Sequence, residues 1–475
     1  MVHLPKVPKL ATATALWPQW LCGTGAAMAM IVMGLMQGWS SPVLARLIGP
    51  DSPLPITETE ASWVASLMNI GRLLGGIAAP FSVEYFGGKR TLFLIGFPTA
   101  VGWICCAVAD HVAWLYVARI LCGAGMGATL GAFPLYVGEI SDPCIRGALV
   151  TLVMNGGPFG GLLGTLMGTY LTMRTFAIIS LVPTTIFVVV YALVPESPHH
   201  LLRIGKTAEA ELAFQWYHRR AGTKEMESLK QFVSTSSTPS FRQTLREFCI
   251  PRYRKAGIII LVLFMFMHIS GVNSFIVYME IILTRAKVTS IAPSSVVVIG
   301  GAASIVIGWV AIYTIERCGR KLLLIISSAG TSTAMIMLGV HFTLIQRDPD
   351  IAPRDWLPIS SVIIFQIFFC LGLLIVPSTI LSELFPSHLK STAALIGGIS
   401  SGGFAFISTK SYQPMVDAMG ENYVFWTYAV IAILAIPFTI FCLPETQGKT
   451  LQEIQEILRK GEKETKTENG DQGIS

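Results

Sequence analysis

The sequence contains few charged residues. Only 13% of its 475 residues are Asp, Glu, Lys or Arg, whereas 52% are hydrophobic and the mean hydropathy is +0.62. A soluble globular protein has about a quarter of its residues charged. The composition therefore excludes that class and predicts a membrane protein.

Other absences exclude further functions. The nine cysteines lie mostly in apolar runs and have neither a disulfide framework nor metal-ligand spacing. No N-x-S/T sequon occurs, and no nucleophile, metal or phosphate constellation appears. We therefore expect no enzyme activity, no cofactor and no metal. No basic patch is interleaved with exposed aromatic residues, so nucleic acid is not expected as a partner.

Two short motifs resemble nucleotide loops but lack the required context. The GAGMG stretch at 123–127 lies inside an apolar run with no preceding strand, so close helix packing is the better interpretation. The Gly-Lys-Thr triplets at 205–207 and 448–450 lack the earlier glycine of a phosphate loop. ATP-driven transport is therefore unsupported.

Apolar runs long enough to cross a bilayer occur twelve times. A helix of about 20 residues spans the ~30 Å hydrocarbon core, and continuous rather than alternating runs favour helices over a barrel. The predicted spans lie near 21–45, 61–83, 91–110, 113–138, 147–171, 174–195, 255–284, 292–315, 321–345, 356–384, 389–415 and 422–443. The fold class is therefore an all-α membrane protein with twelve transmembrane helices.

The charge distribution predicts the topology. The polar segment between the two sets of six spans contains 11 Lys/Arg and 6 Asp/Glu, which favours the cytoplasm. Both termini are then cytoplasmic, and the tail is expected to be disordered. The predicted organisation is an N-terminus, a first six-helix bundle, a helical linker, a second six-helix bundle and a tail, at 1–20, 21–195, 196–255, 256–443 and 444–475.

Three phrases of the first half recur in the second. The stretch EYFGGKR at 84–90 matches ERCGRK at 316–321, and YVGEISDPCIRG at 136–147 matches ILSELFPSHLKS at 380–391. The third pair is PESPHHLL at 195–202 and PETQGKTL at 444–451. These repeats predict two pseudo-symmetric bundles with a substrate site between them at the bilayer midplane.

The repeated phrases resemble the sugar porters of the major facilitator superfamily over nearly the whole chain. Within that group, ITETEASWVASL, the SSP at 40–42 and PETQGKTLQEI are most similar to insect facilitated trehalose transporters. The resemblance implies the two-bundle fold and transport of a sugar. The implied partners are a small-molecule sugar and the lipid bilayer, in the plasma membrane, whereas the oligomeric state stays open.

Charged residues in the recurring motifs are candidates for gating. Carboxylates and basic groups at helix ends pair strongly when the ends converge and must separate when the halves rock apart. The alternative is that they only anchor the topology. The candidate gating residues, in motifs that the resemblance places on the same cytoplasmic face as the linker, are Arg119, Glu139, Arg146, Glu196, Glu316, Arg320, Glu383, Lys390 and Glu445.

The seventh span carries the phrase MHISGVNSFIVY at 267–278, where the sugar porters have Q-Q-x-S-G-x-N-x-x-x-Y-Y. Met267 and His268 replace the two glutamines. On an unbroken helix His268 and Asn273 lie about 140° apart, so they face one cavity only if Gly271 breaks the helix. His268 either contacts substrate or is satisfied by a neighbouring group. The candidate substrate-binding residues are His268, Ser270, Asn273, Ser274, Tyr278, Asn155, Ser304, Ser378 and Ser401, several of them departures from the family pattern.

Three further charges lie in predicted spans. Arg72, midway along the second span, either contacts ligand or pairs with a helix-terminal carbonyl. Glu280 and Arg285 are expected to form an interfacial pair, the alternative being that Glu280 carries a proton. Lys410 is expected to reach the outer interface.

The resulting hypothesis is a facilitative sugar uniporter for trehalose or a hexose that works by alternating access. Uniport is favoured because residues 21–45 contain neither Asp nor Glu, whereas proton symporters of the resembled family carry a carboxylate in the first span. Two alternatives remain open. One is a non-transporting sugar sensor with a degenerate site, and the other is a porter of another small organic solute.

Overall fold

The computed structural model describes residues 10–50, 52–219, 223–235, 247–248, 250–347, 355–386, 389–447, 449 and 453. The predicted N-terminal segment before residue 10 and nearly all of the tail after 449 lie outside the described residues. Twelve of the described helices or helix pairs are long and apolar enough to span a membrane, which confirms the predicted fold class.

The first half consists of six long helices. They are α1 (Leu10–Ile48), α2 (Glu58–Phe86), α3 (Gly88–Val108), α4 (Val112–Ile140), α5 (Pro143–Tyr170) and α6 (Met173–Leu193). The described part of the linker contains three short helices, α7 (Pro198–Arg203), α8 (Thr207–Tyr217) and α9 (Thr223–Thr235).

Two spans of the second half are interrupted. The seventh consists of α10 (Pro251–Ile269) and α11 (Val272–Arg285). The tenth consists of α14 (Trp356–Phe368), a π-helical turn at Phe369–Leu373, and α15 (Val376–Leu384). The remaining spans are α12 (Pro293–Cys318), α13 (Arg320–Arg347), α16 (Lys390–Met419) and α17 (Glu421–Cys442).

Local signals set several helix ends. Thr57 and Glu60 form a reciprocal capping box at the start of α2, which satisfies backbone N–H groups that have no partner within the helix. Gly87 and Gly319 have φ of +93° and +81°, a region that favours glycine, and they form the tight turns before α3 and α13. The chain therefore reverses direction within one residue at equivalent points of the two halves.

The glycine-rich part of α4 packs directly on the backbone of α2. A Cβ on Gly123 would lie 2.2 Å from the Met68 carbonyl oxygen, and one on Gly127 would lie 2.0 Å from the Arg72 carbonyl oxygen. Such close approach requires the absence of side chains. The packing interpretation of GAGMG is therefore confirmed.

The ends of the bundle differ in what they carry. We call the end that bears the 194–219 segment the linker face, and the end that bears the α1–α2 and α11–α12 connections the opposite face. The main contacts between the halves are those of α2 with α16, α1 with α11, and α5 with α12.

The start of the linker is fixed to the first half. Tyr217 Oη lies 2.7 Å from Tyr136 Oη and donates to the Pro195 carbonyl at 2.7 Å. His218 Nδ1 lies 2.6 Å from Asp142 Oδ1. Near the end of the linker, the Phe248 ring stacks on Phe385 of the second half at 5.2 Å between centroids.

Candidate substrate site and gates

The seventh span is broken at the position where the sequence requires it. Gly271 adopts a left-handed conformation with φ of +83°, α10 ends at Ile269 and α11 begins at Val272. A Cβ at Gly271 would lie 2.2 Å from the Tyr428 ring, so a larger residue does not fit. The break turns Asn273 back toward His268, and the Asn273 amide nitrogen lies 2.6 Å from His268 Nδ1.

Four polar residues then form a cluster between the halves, which we call the midplane cluster: Arg72, His268, Asn273 and Ser401. His268 Nε2 lies 2.7 Å from Ser401 Oγ, and Arg72 Nη2 donates to Ser401 O at 3.2 Å and to Ser401 Oγ at 3.3 Å. With the Asn273 amide as donor to Nδ1, the imidazole proton lies on Nε2 and is donated to Ser401. The cluster therefore holds a neutral imidazole beside a guanidinium.

Three other predicted binding residues of the seventh span contribute to packing instead. Ser274 is buried and its hydroxyl donates to the Ser408 carbonyl at 2.8 Å, within the second half. The buried Tyr278 ring stacks on Tyr412 at 4.7 Å. Ser270 is buried, and its hydroxyl has no hydrogen-bond partner in the described part of the chain. These side chains support the wall of the site rather than line it.

The remaining predicted binding residues lie apart from the midplane cluster. Asn155 donates to the Thr151 carbonyl and Ser304 to the Gly300 carbonyl, each within its own helix, and both side chains are half-buried. Ser378 is exposed on α15. Because a hydroxyl or amide bonded within its own turn can rotate toward a ligand at little cost, these positions stay candidates.

Two carboxylates at the linker face bind the backbone of an adjacent helix. Glu196 accepts hydrogen bonds from the N–H groups of Lys89 and Arg90, at 2.9 and 3.1 Å, in the first turn of α3. Glu445 accepts from the corresponding groups of Arg320 and Lys321 in α13, at 3.2 and 3.1 Å. We call these two arrangements the carboxylate clasps. Each clasp places an anion at the positive end of a helix dipole.

The clasps differ electrostatically. Burial raises the pKa of Glu196 above its usual value, although three backbone N–H groups oppose this effect. Burial acts in the same direction on Glu445, but hydrogen bonds from the N–H groups of Gln447, Lys321, Arg320 and Thr446 outweigh it and hold its pKa below the usual value. The balance between burial and hydrogen bonding is therefore opposite in the two clasps.

Other predicted gating residues at this face find partners inside their own half. Glu383 Oε1 lies 2.7 Å from Arg320 Nη2, and Thr446 donates its hydroxyl to the other carboxylate oxygen. Arg146 donates to the Ser141 carbonyl at 3.2 Å rather than pairing with Glu139. Within the described residues Glu139 makes no ion pair. The first half has Gly88 where the second half has Arg320.

The last three gating candidates are Arg119, Glu316 and Lys390. Arg119 was expected at the linker face, and this expectation is wrong, because Arg119 lies two turns from the opposite-face end of α4. There it is buried at 1% exposure, donates to the Met36 carbonyl and Ser40 Oγ, and lies over the Trp39 ring at 4.0 Å. Glu316 and Lys390 lie at helix ends of the linker face, but their side chains are outside the described part of the structure.

The Asp142 and His218 contact holds the linker against this face. The hydrogen bond from His218 is the main reason that the pKa of Asp142 lies below its usual value, with the histidine and Arg146 charges adding to it. Gln19 reinforces the contact, because its carbonyl oxygen accepts from the Asp142 N–H at 2.8 Å. The linker therefore depends on an ionised Asp142.

An ion-pair network joins the halves at the opposite face, and sequence reasoning missed it. Arg285 Nη2 lies 2.6 Å from Glu58 of the first half, and its Nη1 lies 3.0 Å from Glu421 of the second. The Gln413 amide donates to Glu58 at 2.6 Å. We call this set the opposite-face network. The expected pair of Arg285 with Glu280 is therefore wrong, because Arg285 turns toward α2 and α17.

Two further contacts cross between the halves near this network. Lys410 lies 4.0 Å above the Trp63 ring and donates to Ser62 Oγ at 3.3 Å, so its ammonium extends toward the opposite face across the boundary. Asn69 donates to Thr409 Oγ1 at 3.2 Å. The midplane cluster, these contacts and the opposite-face network together hold α2 against α16 in the half of the bundle nearer the opposite face.

The fold and site define a membrane transporter of two pseudo-symmetric six-helix halves. Comparison with known proteins leads to the same class. Residues 21–458 match the sugar (and other) transporter family, to which the chain belongs. It is 32% identical over 447 residues to the facilitated trehalose transporter Tret1 of Bombyx mori, covering 94% of this chain and 88% of the relative. The Tret1 of Apis mellifera ligustica is 29% identical, with coverages of 92% and 87%.

Solved structures give the same fold. The inward-open xylose transporter XylE from E. coli has a TM-score of 0.75 at 20% identity, covering 92% of this chain and 99% of that chain. The proton:xylose symporter XylE bound to 6-bromo-6-deoxy-D-glucose has a TM-score of 0.69 at 20% identity, with coverages of 94% and 99%. The chain thus has the major facilitator fold, and its homologues are transporters rather than enzymes.

Proposed function

We propose that this protein is a facilitative transporter that moves a sugar down its gradient across the plasma membrane by alternating access. The observation that carries the proposal is the midplane cluster. It lies at a helix break between two halves, where His268 and Ser401 of the second half meet Arg72 of the first. A site at this boundary is exposed to one side or the other as the halves rock.

The polar contacts support an arrangement that is closed at the opposite face. Glu58 and Arg285 bridge the halves there, whereas Glu383 and Arg320 at the linker face are paired within one half. A transporter in this form would open its site toward the linker face. The excess of basic residues in the linker supports placing that face in the cytoplasm.

The composition of α1 supports uniport. Residues 10–48 contain no Asp or Glu, so the first span offers no carboxylate to carry a proton. The midplane cluster holds no carboxylate either, and its imidazole is already bonded through both nitrogens. Coupled proton movement would therefore need a group outside the site.

The relatives suggest which sugars to test first. Because the proteins that match over most of this chain are named facilitated trehalose transporters, trehalose is the first candidate, and glucose is the second. A hydrogen bond contributes only about 0.5 to 1.5 kcal/mol net, so the loss of the two glutamines expected at 267 and 268 lowers hexose affinity unless other contacts replace them.

The test is uptake of radiolabelled trehalose and glucose into proteoliposomes, with and without a pH gradient. Saturable uptake that does not depend on the gradient supports a sugar uniporter. Uptake that requires the gradient contradicts uniport. Saturable sugar binding without uptake, from protein shown by thermal unfolding to be folded, would instead indicate a sensor.

A further inference from the structure

We propose that the sugar carried by this protein bears a carboxylate, as a uronic or aldonic acid does, and that Arg72 binds this group. The inference rests on the proposed transport function and names the chemical class of its substrate. Arg72 is the central residue of the 29 in α2, about 20 Å from either end of the helix.

The guanidinium of Arg72 has spare hydrogen-bonding capacity. Its Nη2 bonds to Ser401, whereas Nε and Nη1 make no hydrogen bond in the described part of the chain and are not fully buried. No acidic side chain of the described residues lies within ion-pair distance of it. A cation at this depth without a counter-ion is costly and marks a functional site.

Arg119 shows how this chain stabilises another arginine that has no ion pair. Arg119 is also unpaired with any described carboxylate, but it is almost fully buried. It lies over Trp39 and donates to Met36 and Ser40. Arg72 has no such aromatic ring and is half-buried. Part of its guanidinium therefore remains open to a ligand.

Alternating access explains why the ligand must carry the negative charge. During each cycle the site closes from both sides, and water leaves the guanidinium. A neutral sugar would leave that charge buried and uncompensated, whereas a carboxylate neutralises it and accepts its free N–H groups. Asn273 and Ser401 remain available to bind hydroxyl groups beside it.

The charge count favours a monoanion. The midplane cluster contains one cation, because the hydrogen bonds of His268 describe a neutral imidazole. A sugar phosphate carries close to two negative charges at neutral pH and would be left with one of them uncompensated. The expected class is therefore a sugar monocarboxylate.

The experiment measures uptake of labelled D-glucuronate, D-glucose and trehalose into proteoliposomes under a potassium diffusion potential. Uniport of a monoanion carries one negative charge, so about 60 mV of inside-positive potential should give about tenfold accumulation of glucuronate and none of a neutral sugar. Unlabelled D-glucuronamide, the neutral isostere, should inhibit the uptake of labelled glucuronate at least about tenfold more weakly than unlabelled glucuronate does.

Matched variants assign the effect to Arg72. The substitution Arg72→Gln should lower glucuronate uptake at least about tenfold and remove the preference for glucuronate over D-glucuronamide in competition. Arg174→Gln makes the same chemical change at an exposed position on α6 and should change nothing. If Arg72→Gln fails to fold, the comparison of glucuronate with glucuronamide on the unaltered protein still shows whether the site requires the carboxylate.

The outcomes separate the two proposals. Saturable uptake of neutral sugars with no entry or competition by glucuronate overturns this inference and leaves sugar transport standing. Equal competition by glucuronate and glucuronamide also overturns it. Potential-driven glucuronate uptake without uptake of glucose or trehalose supports it and refutes the choice of those two sugars. If folded protein moves none of them, both proposals fail.

Discussion

Replacing Glu58 with glutamine should shift the protein away from the form closed at the opposite face. Glu58 contributes the carboxylate that links α2 to Arg285 at 2.6 Å and to Gln413 at 2.6 Å, and both partners belong to the second half. The substitution Glu58→Gln keeps the shape of the side chain and one hydrogen bond but removes the negative charge of the carboxylate.

The expected magnitude follows from the exposure of the pair. The side chains of Arg285 and Glu58 are 24% and 47% exposed, so solvent screens much of their attraction. Exposed pairs contribute about 0.2 to 1 kcal/mol, and the weakened bond to Gln413 adds to this. A total of about 1 kcal/mol corresponds to about a fivefold change in the ratio of the two forms.

Double electron–electron resonance measures this ratio. Spin labels at the exposed positions Asp110 and Thr284 report the separation of the halves at the opposite face, in a background from which the other reactive cysteines are removed. We expect Glu58→Gln to increase the population at longer distance. The control is Glu209→Gln, which makes the same change in an exposed pair within the linker. If the distances in Glu58→Gln and the control coincide, the opposite-face network does not act as a gate.

Three further predictions concern stability and can be checked by thermal unfolding in detergent. Gly123→Ala should destabilise the protein by about 1–3 kcal/mol because its Cβ meets the α2 backbone, whereas Gly138→Ala in the same helix has open space and should be neutral. Glu383→Gln should cost about 1.5–3 kcal/mol through its bonds to Arg320 and Thr446, and an unchanged midpoint would refute this. Asp142→Asn should destabilise the protein at pH 7. The pKa of Asp142 is lowered in the folded protein, so ionised Asp142 stabilises the fold at pH values above its usual pKa of about 3.9. This stabilisation is lost as the pH falls through the pKa of the folded state. The unfolding midpoints of the unaltered protein and of Asp142→Asn should therefore converge below about pH 4.

The sequence predicted most of the features that depend on local spacing. The twelve spans follow from run length, the packing of Gly123 and Gly127 from their context, and the approach of Asn273 to His268 from the conformational freedom of Gly271. Each of these requires only the chain within a few residues of the feature.

The sequence did not predict contacts set by how the halves meet. Arg285 and Glu58 are 227 positions apart, and nothing in their spacing distinguishes Glu58 from Glu280 as the partner. Arg119 was placed at the wrong end because a motif does not give the depth of its arginine in the bilayer. Ser274 and Tyr278 were assigned to the site because they lie in the seventh-span phrase that resembles the sugar porters, but their side chains pack on α16.

The two attachments of the linker bear on how force passes between the halves. Its first part is fixed to the first half by Tyr217 and His218, and Phe248 contacts the second half. The linker therefore contacts both halves at the linker face. A movement that separates the halves there must break one of these two contacts or be transmitted through the chain that connects them.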